Sequence, residues 1–370
     1  MLLHTKWFVN YPEVNHVHLH LMNFNQSLAQ WYRHNRRDLP WRNTTDPYVI
    51  WLSEIILQQT RVEQGKPYFY RFAEAYPTVT HFAAATEDEV LKLWQGLGYY
   101  SRGRNMLTTA RLVQQKFGGV FPGNYDDLIA LKGIGEYTAA AISSFSTNQA
   151  KAVVDGNVSR VIARYFGIAE PINSTKGKKL FQQMANELLD PAEPGLHNQA
   201  MMEFGAMLCR PRNPLCDACP VRTGCYALQH NQVNQLPVKL KTVKIRKRYF
   251  NYWLIIDNGE VLLNKRGETD IWASMYDLPL TETAEDKSVE ELLASPETLA
   301  TLGFTPQIKA VYPTQKHILT HQHIYYRFIY IQNNLKIKLK PSWFFLKVEN
   351  LNNLALPKII FLFLTKFFEL

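Results

Sequence analysis

The stretch from Leu131 to Arg160, LKGIGEYTAAAISSFSTNQAKAVVDGNVSR, constrains the fold of this chain more than any other. Its Gly-Ile-Gly sequence predicts a tight turn between two helices, because glycine tolerates backbone conformations that other residues avoid. At such a turn the first N–H groups of the second helix can face one anion, and a DNA phosphate fits that description. An isolated turn of this kind is more often a plain helix–helix connection. Gly133 and Gly135 are therefore predicted to bind a DNA phosphate only in combination with further signals.

A carboxylate follows the turn. Asp155 comes directly after the apolar run AVV and before Gly156, Asn157 and a helical pattern. An aspartate in this position can be a helix N-cap and nothing more. A catalytic interpretation therefore requires a second carboxylate.

Glu54 is the candidate for that second carboxylate. A helix is predicted from Pro47 to about Thr60, because the preceding Asp-Pro pair is typical of a helix start. Glu54 follows Ile50 by four residues and Trp51 by three, which places its carboxyl group on a largely apolar face. Burial raises the pKa of a carboxyl group and so keeps a proton donor available near neutral pH. The alternative is a glutamate at the rim that pairs with Arg61.

Chain-level properties limit the class of protein. A length of 370 residues with 46% hydrophobic residues predicts two or three domains, and a net charge of +9 favours a polyanionic partner, nucleic acid before membrane. No N-terminal segment has the pattern of a signal peptide, so we expect a cytoplasmic protein. The apolar run from Ile359 to Leu364 is far shorter than the ~20 residues of a membrane helix and predicts a packed terminal helix.

The four cysteines of the chain lie in one short window with the spacing C-x6-C-x2-C-x5-C. A reducing cytoplasm disfavours disulfides between them. Four thiolates suit a zinc ion or an iron–sulfur cluster, and the thiolates alone do not decide between the two. The window lacks the paired CxxC of a zinc ribbon, which favours iron–sulfur. The predicted ligands are Cys209, Cys216, Cys219 and Cys225.

A second glycine-rich segment, LWQGLGYYSRGRNM, combines close backbone approach, aromatic faces and arginines suited to phosphate. Adjacent aromatic residues beside helices are usually core. We therefore expect at most one residue of the pair Tyr99 and Tyr100 to be free.

Five features in order carry a family resemblance: SEIILQQT, GLGYYSR, LKGIGEYT, VVDGNVSRV and the four-cysteine loop. Together they resemble the helix-hairpin-helix DNA glycosylases of the endonuclease III superfamily, and within it the adenine-specific branch. The resemblance covers about residues 23 to 229. It implies two helical modules with the active site in the cleft between them, and a 4Fe-4S cluster in the cysteine loop.

The resemblance also implies roles for individual residues. Glu54 is similar to the general acid that protonates adenine N7 after the base has been flipped out of the duplex, and Asp155 to the carboxylate that stabilises the sugar cation. Tyr137 and Asn157 match residues that hold these groups. Tyr137 also stands where the bifunctional branch has a nucleophilic lysine, so the chain is expected to be monofunctional.

Further residues match binding positions of the family. The adenine pocket is expected to include Trp41, Arg42, Val62 and Glu203. The residues expected beside 8-oxoguanine are Gln59, Tyr99 and Leu97.

The composition changes after about His230. PVKLKTVKIRKR has six basic residues and no acid, which predicts a linker that could also track along DNA. The alternating apolar pattern around Asp-Asn-Gly at 257 to 259 predicts a hairpin, and further strands are predicted at 324 to 331 and 343 to 348. This α+β segment resembles the Nudix-like C-terminal domain of the family, but TETAEDKSVEELLASPET lacks the arginine of a Nudix hydrolase box, so nucleotide hydrolysis is not expected.

Within that segment, HILTHQH resembles the loop that recognises 8-oxoguanine. The family usually has Phe-Ser-His where this chain has Leu319, Thr320 and His321. The hydroxyl and the imidazole are kept while the aromatic ring is not, so Thr320 and His321 are the predicted lesion contacts. The alternative is a strand turn with incidental histidines.

The predicted fold is a mainly α helix-hairpin-helix domain of two helical modules with an iron–sulfur loop, followed by an α+β Nudix-like domain. The predicted bounds are 1–22 for a disordered extension, 23–229 for the glycosylase domain, 230–247 for the linker and 248–370 for the lesion-recognition domain.

The predicted function is monofunctional removal of adenine from A:8-oxoguanine or A:G mismatches in double-stranded DNA, by a monomer without membrane association. The alternatives are a bifunctional glycosylase for pyrimidine lesions, which Tyr137 disfavours, and a non-catalytic DNA-binding module. The two carboxylates, Glu54 and Asp155, speak against the latter.

Overall fold

The structure is a computed structural model that describes residues 14–240, 244–332 and 338–369. It divides into two compact units, one of Met1–Ala83 with Thr108–Lys241 and one of Ala84–Leu107 with Thr242–Leu370. The helices between Val14 and Gln229 are α1 (Val14–Asn35), α2 (Pro47–Leu57), α3 (Val62–Ala75), α4 (Val79–Ala84), α5 (Glu87–Trp94), α6 (Ser101–Phe117), α7 (Tyr125–Ile129), α8 (Glu136–Thr147), α9 (Gly156–Phe166), α10 (Thr175–Leu188), α11 (Pro194–Met207) and α12 (Tyr226–Gln229).

Helix α2 begins as predicted and ends early. Asp46 caps it by accepting a hydrogen bond from the Tyr48 backbone N–H at 2.8 Å. The helix was expected to reach about Thr60, but it ends at Leu57, because Gln58 leaves the helical region with ψ 124° and Gln59 follows with φ +56°. The early end turns the two glutamines away from the helix axis.

The glycine turn lies between α7 and α8. Gly133 has φ +81°, a conformation that only glycine adopts at little cost, and Gly135 is the N-cap of α8. The hydroxyl of Thr109 donates to the carbonyl of Lys132, which fixes the turn to α6. The predicted helix–turn–helix is confirmed.

Helix α9 stands at the centre of the first unit's core. Its buried side chains pack with those of α1, α10 and α11, in a cluster that includes Phe24, Val161, Ile162, Phe181 and Phe204. Helix α1 begins at Val14, inside the stretch for which we predicted a disordered extension, and residues 1 to 13 lie outside the described residues. The packing of α9 against α1, α10 and α11 fixes the position of its first turn, where Asp155 is the N-cap.

The second unit contains a mixed sheet. Its strands are β1 (Arg246–Asp257), β2 (Glu260–Lys265), β3 (Tyr276–Asp277), β4 (Leu280–Thr283), β5 (Gln307–Val311), β6 (Gln315–Ile318), β7 (Gln322–Gln332) and β8 (Trp343–Lys347). The central order is β3-β2-β1-β7-β5, with β4 on β1, β6 on β7 and β8 on β2. Three helices, α13 (Val289–Leu293), α14 (Pro296–Leu302) and α15 (Lys358–Phe367), complete the α+β segment.

Local signals in this unit were reliable. The hairpin between β1 and β2 turns at Asn258 and Gly259, whose φ values of +46° and +79° are those of the predicted Asn-Gly turn. The apolar run near the C-terminus is the packed helix α15, with Ile360 and Leu364 buried. Among the described residues, no helix has both the length and the apolarity needed to cross a membrane.

Candidate active site

Glu54 lies in the most apolar helix of the first unit. Eight of the eleven residues of α2 are buried, and Glu54 is 8% exposed. Burial raises the pKa of its carboxyl group to about 7, and the negative charge of Asp155 acts in the same direction. A hydrogen bond from the Tyr137 hydroxyl to Oε2 at 2.8 Å and the charge of Arg42 act against the rise. Near neutral pH a large fraction of Glu54 therefore carries a proton that it can donate.

Tyr137 reaches Glu54 from the second residue of α8. Burial, together with the nearby Glu54 and Asp155 carboxyl groups, raises the pKa of its phenol well above the usual value. The phenol therefore stays protonated and can only orient Glu54 by donating to it. The glycine turn that starts α8 thus also places the partner of the acid.

Asp155 is both a helix cap and a candidate anion. Its Oδ1 accepts from the backbone N–H groups of Asn157 at 2.8 Å and Val158 at 2.7 Å, and its Oδ2 accepts from Asn157 Nδ2 at 2.8 Å. Burial raises the pKa of Asp155, while these bonds and the charge of Arg160 oppose that change. Three N–H donors at a helix N-terminus favour the charged form, so Asp155 is better suited to hold a negative charge and Glu54 to hold a proton.

Arg160 supports this cap and is not among the residues predicted from the sequence. It is 7% exposed, and its Nη2 donates to Asn157 Oδ1 at 2.8 Å and to the Gly205 carbonyl at 2.7 Å. Its Nε donates to the Cys209 carbonyl at 2.8 Å. Arg160 therefore fixes Asn157 with its amide N–H toward Asp155. The signal available in the sequence was an arginine three residues after Asn157, on the buried face of an apolar helix.

Glu203 forms ion pairs with two arginines. The side chain is 1% exposed and accepts five hydrogen bonds, from Arg37 (backbone N, Nε and Nη2) and Arg42 (Nη1 and Nη2), at 2.6 to 3.0 Å. Burial alone would raise its pKa, but the bonds from Arg37 and Arg42 hold it at about 2. Glu203 is thus a fixed anion that positions Arg42. Arg37 was not among the predicted site residues, although the dense RRDLPWR run contains it.

The other predicted binding residues of the first unit, two of the adenine pocket and Gln59 of the lesion contacts, differ in exposure. Trp41 is 7% exposed and meets Phe69 edge-on at 5.1 Å between ring centroids. Val62 is the half-buried first residue of α3, and Gln59 is exposed. The φ of +56° at Gln59 is strained for a residue with a side chain, and such strain is concentrated at functional sites.

Four of the five predicted lesion contacts, all except Gln59, lie in the second unit. Tyr99 is 49% exposed and has a strained φ of +49°, whereas Tyr100 is 7% exposed. Only one tyrosine of the pair is therefore exposed, as expected. The Tyr99 hydroxyl forms a hydrogen bond with the Thr320 hydroxyl. Leu97, two residues before Tyr99, is buried, and His321 is exposed. The structure therefore brings together two predicted contacts that are 221 residues apart in the chain.

The turn that carries Thr320 joins β6 to β7. The Leu319 N–H donates to the Gln322 carbonyl at 2.8 Å, and the Arg246 N–H donates to the His321 carbonyl at 3.0 Å. These bonds hold the backbone, and the side chains of Thr320 and His321 stay exposed.

The glycine turn of the first unit is open to solvent. Gly133 and Gly135 are exposed, and a Cβ added at Gly135 would meet no heavy atom within 4 Å. Glycine is thus not needed there for packing within the chain. The space beside the N-terminus of α8 can admit an anion.

The four cysteines are half-buried and not in disulfides. Burial raises the pKa of Cys219 to about 12; the Val221 N–H opposes this, while the charges of the other three sulfurs add to it. Arg164 Nη1 donates to Cys209 Sγ at 3.4 Å. Within the ranges that the structure describes, no group of three or more His, Cys, Asp or Glu residues is arranged to hold a metal ion. The donor set, four soft sulfurs with a guanidinium N–H directed at one of them, is the chemistry that suits thiolate-bound iron.

Cleavage of a glycosidic bond needs one carboxyl group that holds a proton and one that holds a negative charge, and Glu54 and Asp155 meet these needs on a helical scaffold that also carries an exposed glycine turn. This combination places the chain in the class of helix-hairpin-helix DNA glycosylases of base-excision repair. Residues 52–191 match the family described as HhH-GPD superfamily base excision DNA repair protein, and residues 251–366 match the NUDIX domain. An adenine DNA glycosylase of Buchnera aphidicola subsp. Acyrthosiphon pisum is 32% identical over 337 residues, which cover 90% of this chain and 95% of the relative. The chain belongs to the adenine DNA glycosylase family, and it is a hydrolase that removes adenine from DNA.

Other relatives agree with this assignment. The adenine DNA glycosylase of Mus musculus is 43% identical over 222 residues, which cover 58% of this chain and 43% of the relative. The structure of a thermostable thymine-DNA glycosylase matches 58% of this chain and 99% of its own, with 30% identity and a TM-score of 0.54. A trapped endonuclease III–DNA covalent intermediate matches 60% of this chain and 99% of its own, with a TM-score of 0.51, and its 19% identity supports the fold alone. The resemblance found in the motifs is confirmed.

Proposed function

We propose that this glycosylase is monofunctional and acts on adenine paired with 8-oxoguanine or guanine in double-stranded DNA. The observation that carries the 8-oxoguanine part is the hydrogen bond between Tyr99 and Thr320, because it joins an exposed aromatic ring to the loop that resembles the lesion reader. Single-turnover assays on duplexes with A opposite 8-oxoguanine, G or T test the proposal. Excision that is no faster opposite 8-oxoguanine than opposite T would contradict it.

The proposed mechanism assigns one task to each carboxyl group. After the adenine is flipped from the stack, protonated Glu54 donates its proton to N7, and the bond between N9 and C1′ breaks to release neutral adenine. Asp155 stabilises the positive sugar, Asn157 and Tyr137 hold the two acids, and Arg42 on Glu203 lines the adenine pocket with Trp41 and Val62. Water adds to C1′ and gives its proton to Glu54. The product is an abasic site.

The monofunctional assignment rests on Tyr137. A phenol that stays protonated and hydrogen-bonded to Glu54 cannot form the Schiff base from which β-elimination proceeds. We therefore propose that the strand stays intact until alkali is added.

We predict that the double substitution Thr320→Ala and His321→Ala lowers the preference for A opposite 8-oxoguanine over A opposite G. Loss of one or two hydrogen bonds to the lesion base should cost about 1–3 kcal/mol of binding to the 8-oxoguanine duplex. The measurement is affinity and single-turnover rate on both duplexes. Excision of A opposite G should change little, because Glu54 and Asp155 act on the adenine in either duplex.

Thr314→Ala provides the matched control, since Thr314 is exposed on the connection between β5 and β6 and is not a predicted contact. It should leave both duplexes unaffected. Equal weakening of both duplexes by the double substitution would make the loop a backbone contact or a structural turn and leave lesion recognition to Gln59, Tyr99 and Leu97.

We further propose that Cys209, Cys216, Cys219 and Cys225 bind a 4Fe-4S cluster. Support comes from the thiol-only donor set and from the donors that Arg164 and Val221 direct at Cys209 and Cys219. When bound, the cluster would join the loop after α11 to the body of the first unit and supply no proton or nucleophile to the sugar.

We predict that Cys216→Ser lowers the iron content of the purified protein and weakens its broad absorbance near 400 nm, roughly where thiolate-bound iron–sulfur clusters absorb. Loss of one thiolate ligand loosens the cluster, and Tm should fall with it. Iron analysis and thermal unfolding measure both. Ala218→Ser, in the same loop and exposed, should keep iron and Tm. Stoichiometric zinc without iron in the parent protein would overturn the cluster assignment.

The domain limits also remain proposals: an extension at 1–22, a glycosylase domain at 23–229, a basic linker at 230–247 and a lesion-recognition domain at 248–370. Residues 241–243 of the linker lie outside the described residues. We propose a monomer that works in the cytoplasm, associates with the nucleoid when bound to DNA, and has no membrane partner.

A further inference from the structure

One face of the sheet in the second unit changes character along its strands. At one end Trp253 of β1 and Ile329 of β7 are buried in a core with Leu292 of α13 and Leu302 of α14. The two helices therefore cover this end of the face.

Two residues closer to the start of each strand, the face becomes polar. Asn251 pairs in register with Arg327 and with Thr281, and all three are buried. Arg327 Nε donates to Asn251 Oδ1 at 2.6 Å, and its Nη2 donates to the Lys287 carbonyl at 2.6 Å. This polar row borders the core, and the guanidinium of Arg327 is bound by partners within the same unit.

The next row consists of stacked tyrosines. Tyr249 and Tyr325 are in register, and their rings are 5.3 Å apart with an interplanar angle of 17°. Lys316 of β6 pairs with Tyr325 and holds its ammonium 5.4 Å from the ring centroid. Both rings are half-buried, and Lys316 is exposed. Tyr325 already contacts one ring and one cation, so its ring faces are occupied and are not suited to stack on a base. What the row can offer a ligand is its phenol hydroxyls and the charge of Lys316.

The last row is basic and borders the loop with Thr320 and His321. Lys247 pairs in register with His323, and His323 pairs with Ile318, which is 66% exposed. Neither Lys247 nor Lys316 forms an ion pair with any residue that the structure describes. The surface named here the tyrosine–lysine face is formed by Lys247, Tyr249, Lys316, His323 and Tyr325. It is thus a partly exposed sheet face whose two lysines have no ion-pair partner among the described residues.

We propose that the tyrosine–lysine face binds the sugar–phosphate backbone of duplex DNA beside the lesion, as an extension of the loop with Thr320 and His321. Charge complementarity selects this occupant, because two exposed lysines without a described ion-pair partner lie next to phenol hydroxyls that can donate to phosphate oxygens. The exposed side chain of Ile318, next to His323, would supply an apolar contact to a deoxyribose ring. The proposal rests on the function proposed above and adds to it a contact that does not depend on the base sequence.

The test is the salt dependence of binding to an undamaged duplex by the full chain with Lys247→Gln and Lys316→Gln. Each phosphate contact contributes about 0.9 to the slope of log Kobs against log[salt], so the double variant should have a slope smaller by about 2. The ratio of the parent's affinity to that of the double variant should fall about tenfold as the salt concentration rises from 50 to 200 mM. Single-turnover adenine release at saturating enzyme should stay unchanged.

Lys309→Gln is the matched control. Lys309 is exposed and lies 5.1 Å from the ring centroid of Tyr330, the same arrangement on the same sheet but near the other end of β7. It should leave the slope at the parent value. An unchanged slope in the double variant, an equal change in Lys309→Gln, or an effect confined to single-stranded DNA or to self-association would overturn the proposal. Because the duplex is undamaged, these outcomes are separate from a failure of 8-oxoguanine selection.

Discussion

Replacing Glu54 by Gln is expected to slow adenine release by about 10²–10⁴-fold, the usual contribution of a positioned general acid. The amide keeps the shape of the side chain and can still accept from Tyr137, but it has no proton to give to N7. Affinity for the mismatch duplex should stay near the parent value. Single-turnover excision and equilibrium binding on the same duplex measure the two effects.

Glu63→Gln is the matched control, because Glu63 is exposed in the first turn of α3. The pH profile adds an independent check. With the pKa of Glu54 raised to about 7, the acid is protonated below that pH, and the parent rate should fall above it. The Glu54→Gln profile should lack that decline. A variant rate within tenfold of the parent would remove Glu54 from the general-acid role.

Replacing Asp155 by Asn is expected to slow excision by about 10²–10³-fold while changing stability little. Asparagine is as good an N-cap as aspartate, so α9 keeps its start, and the substitution removes mainly the negative charge that faces the sugar cation. Single-turnover kinetics and thermal unfolding separate these two contributions.

Asp46→Asn repeats the same chemistry at the N-cap of α2, where the side chain accepts from the Tyr48 N–H. It should leave both rate and Tm near the parent values. If Asp155→Asn lowers Tm strongly and the rate only in proportion, Asp155 is a cap and not an electrostatic stabiliser.

Features with a local cause could be predicted from the sequence. The Asp-Pro start of α2, the Gly-Ile-Gly turn and the Asn-Gly hairpin each depend on the conformational preferences of neighbouring residues. The end of α2 was placed too late, because nothing local marks Gln58 and Gln59 as leaving the helix.

Features with a distant cause could not be predicted. The parallel pairing of β1 with β7 joins strands whose partners, such as Arg246 and Gln322, are far apart in the chain, and no local pattern encodes it. The same holds in the site: Glu54 and Asp155 were found by their surroundings in sequence. Arg37, in contrast, bonds to Glu203, 166 positions away, and Arg160 is held by the Gly205 and Cys209 carbonyls 45 and 49 positions away. Long-range hydrogen bonds of this kind follow from the packed fold.

The division of the chain has a consequence for how the gene can change. Residues 84 to 107 belong with the C-terminal sheet, so the chain crosses between the two compact units three times. Arg104 donates to the Ala273 carbonyl at 2.8 Å, and the Tyr276 hydroxyl donates to Asp88 at 2.8 Å. A stop codon or a gene fusion after Lys241 would remove the partners of Asp88, Tyr99 and Arg104 in one step. The segment after Lys241 is therefore only part of its compact unit, and the segment from 84 to 107, which supplies the rest, is expected to evolve together with it.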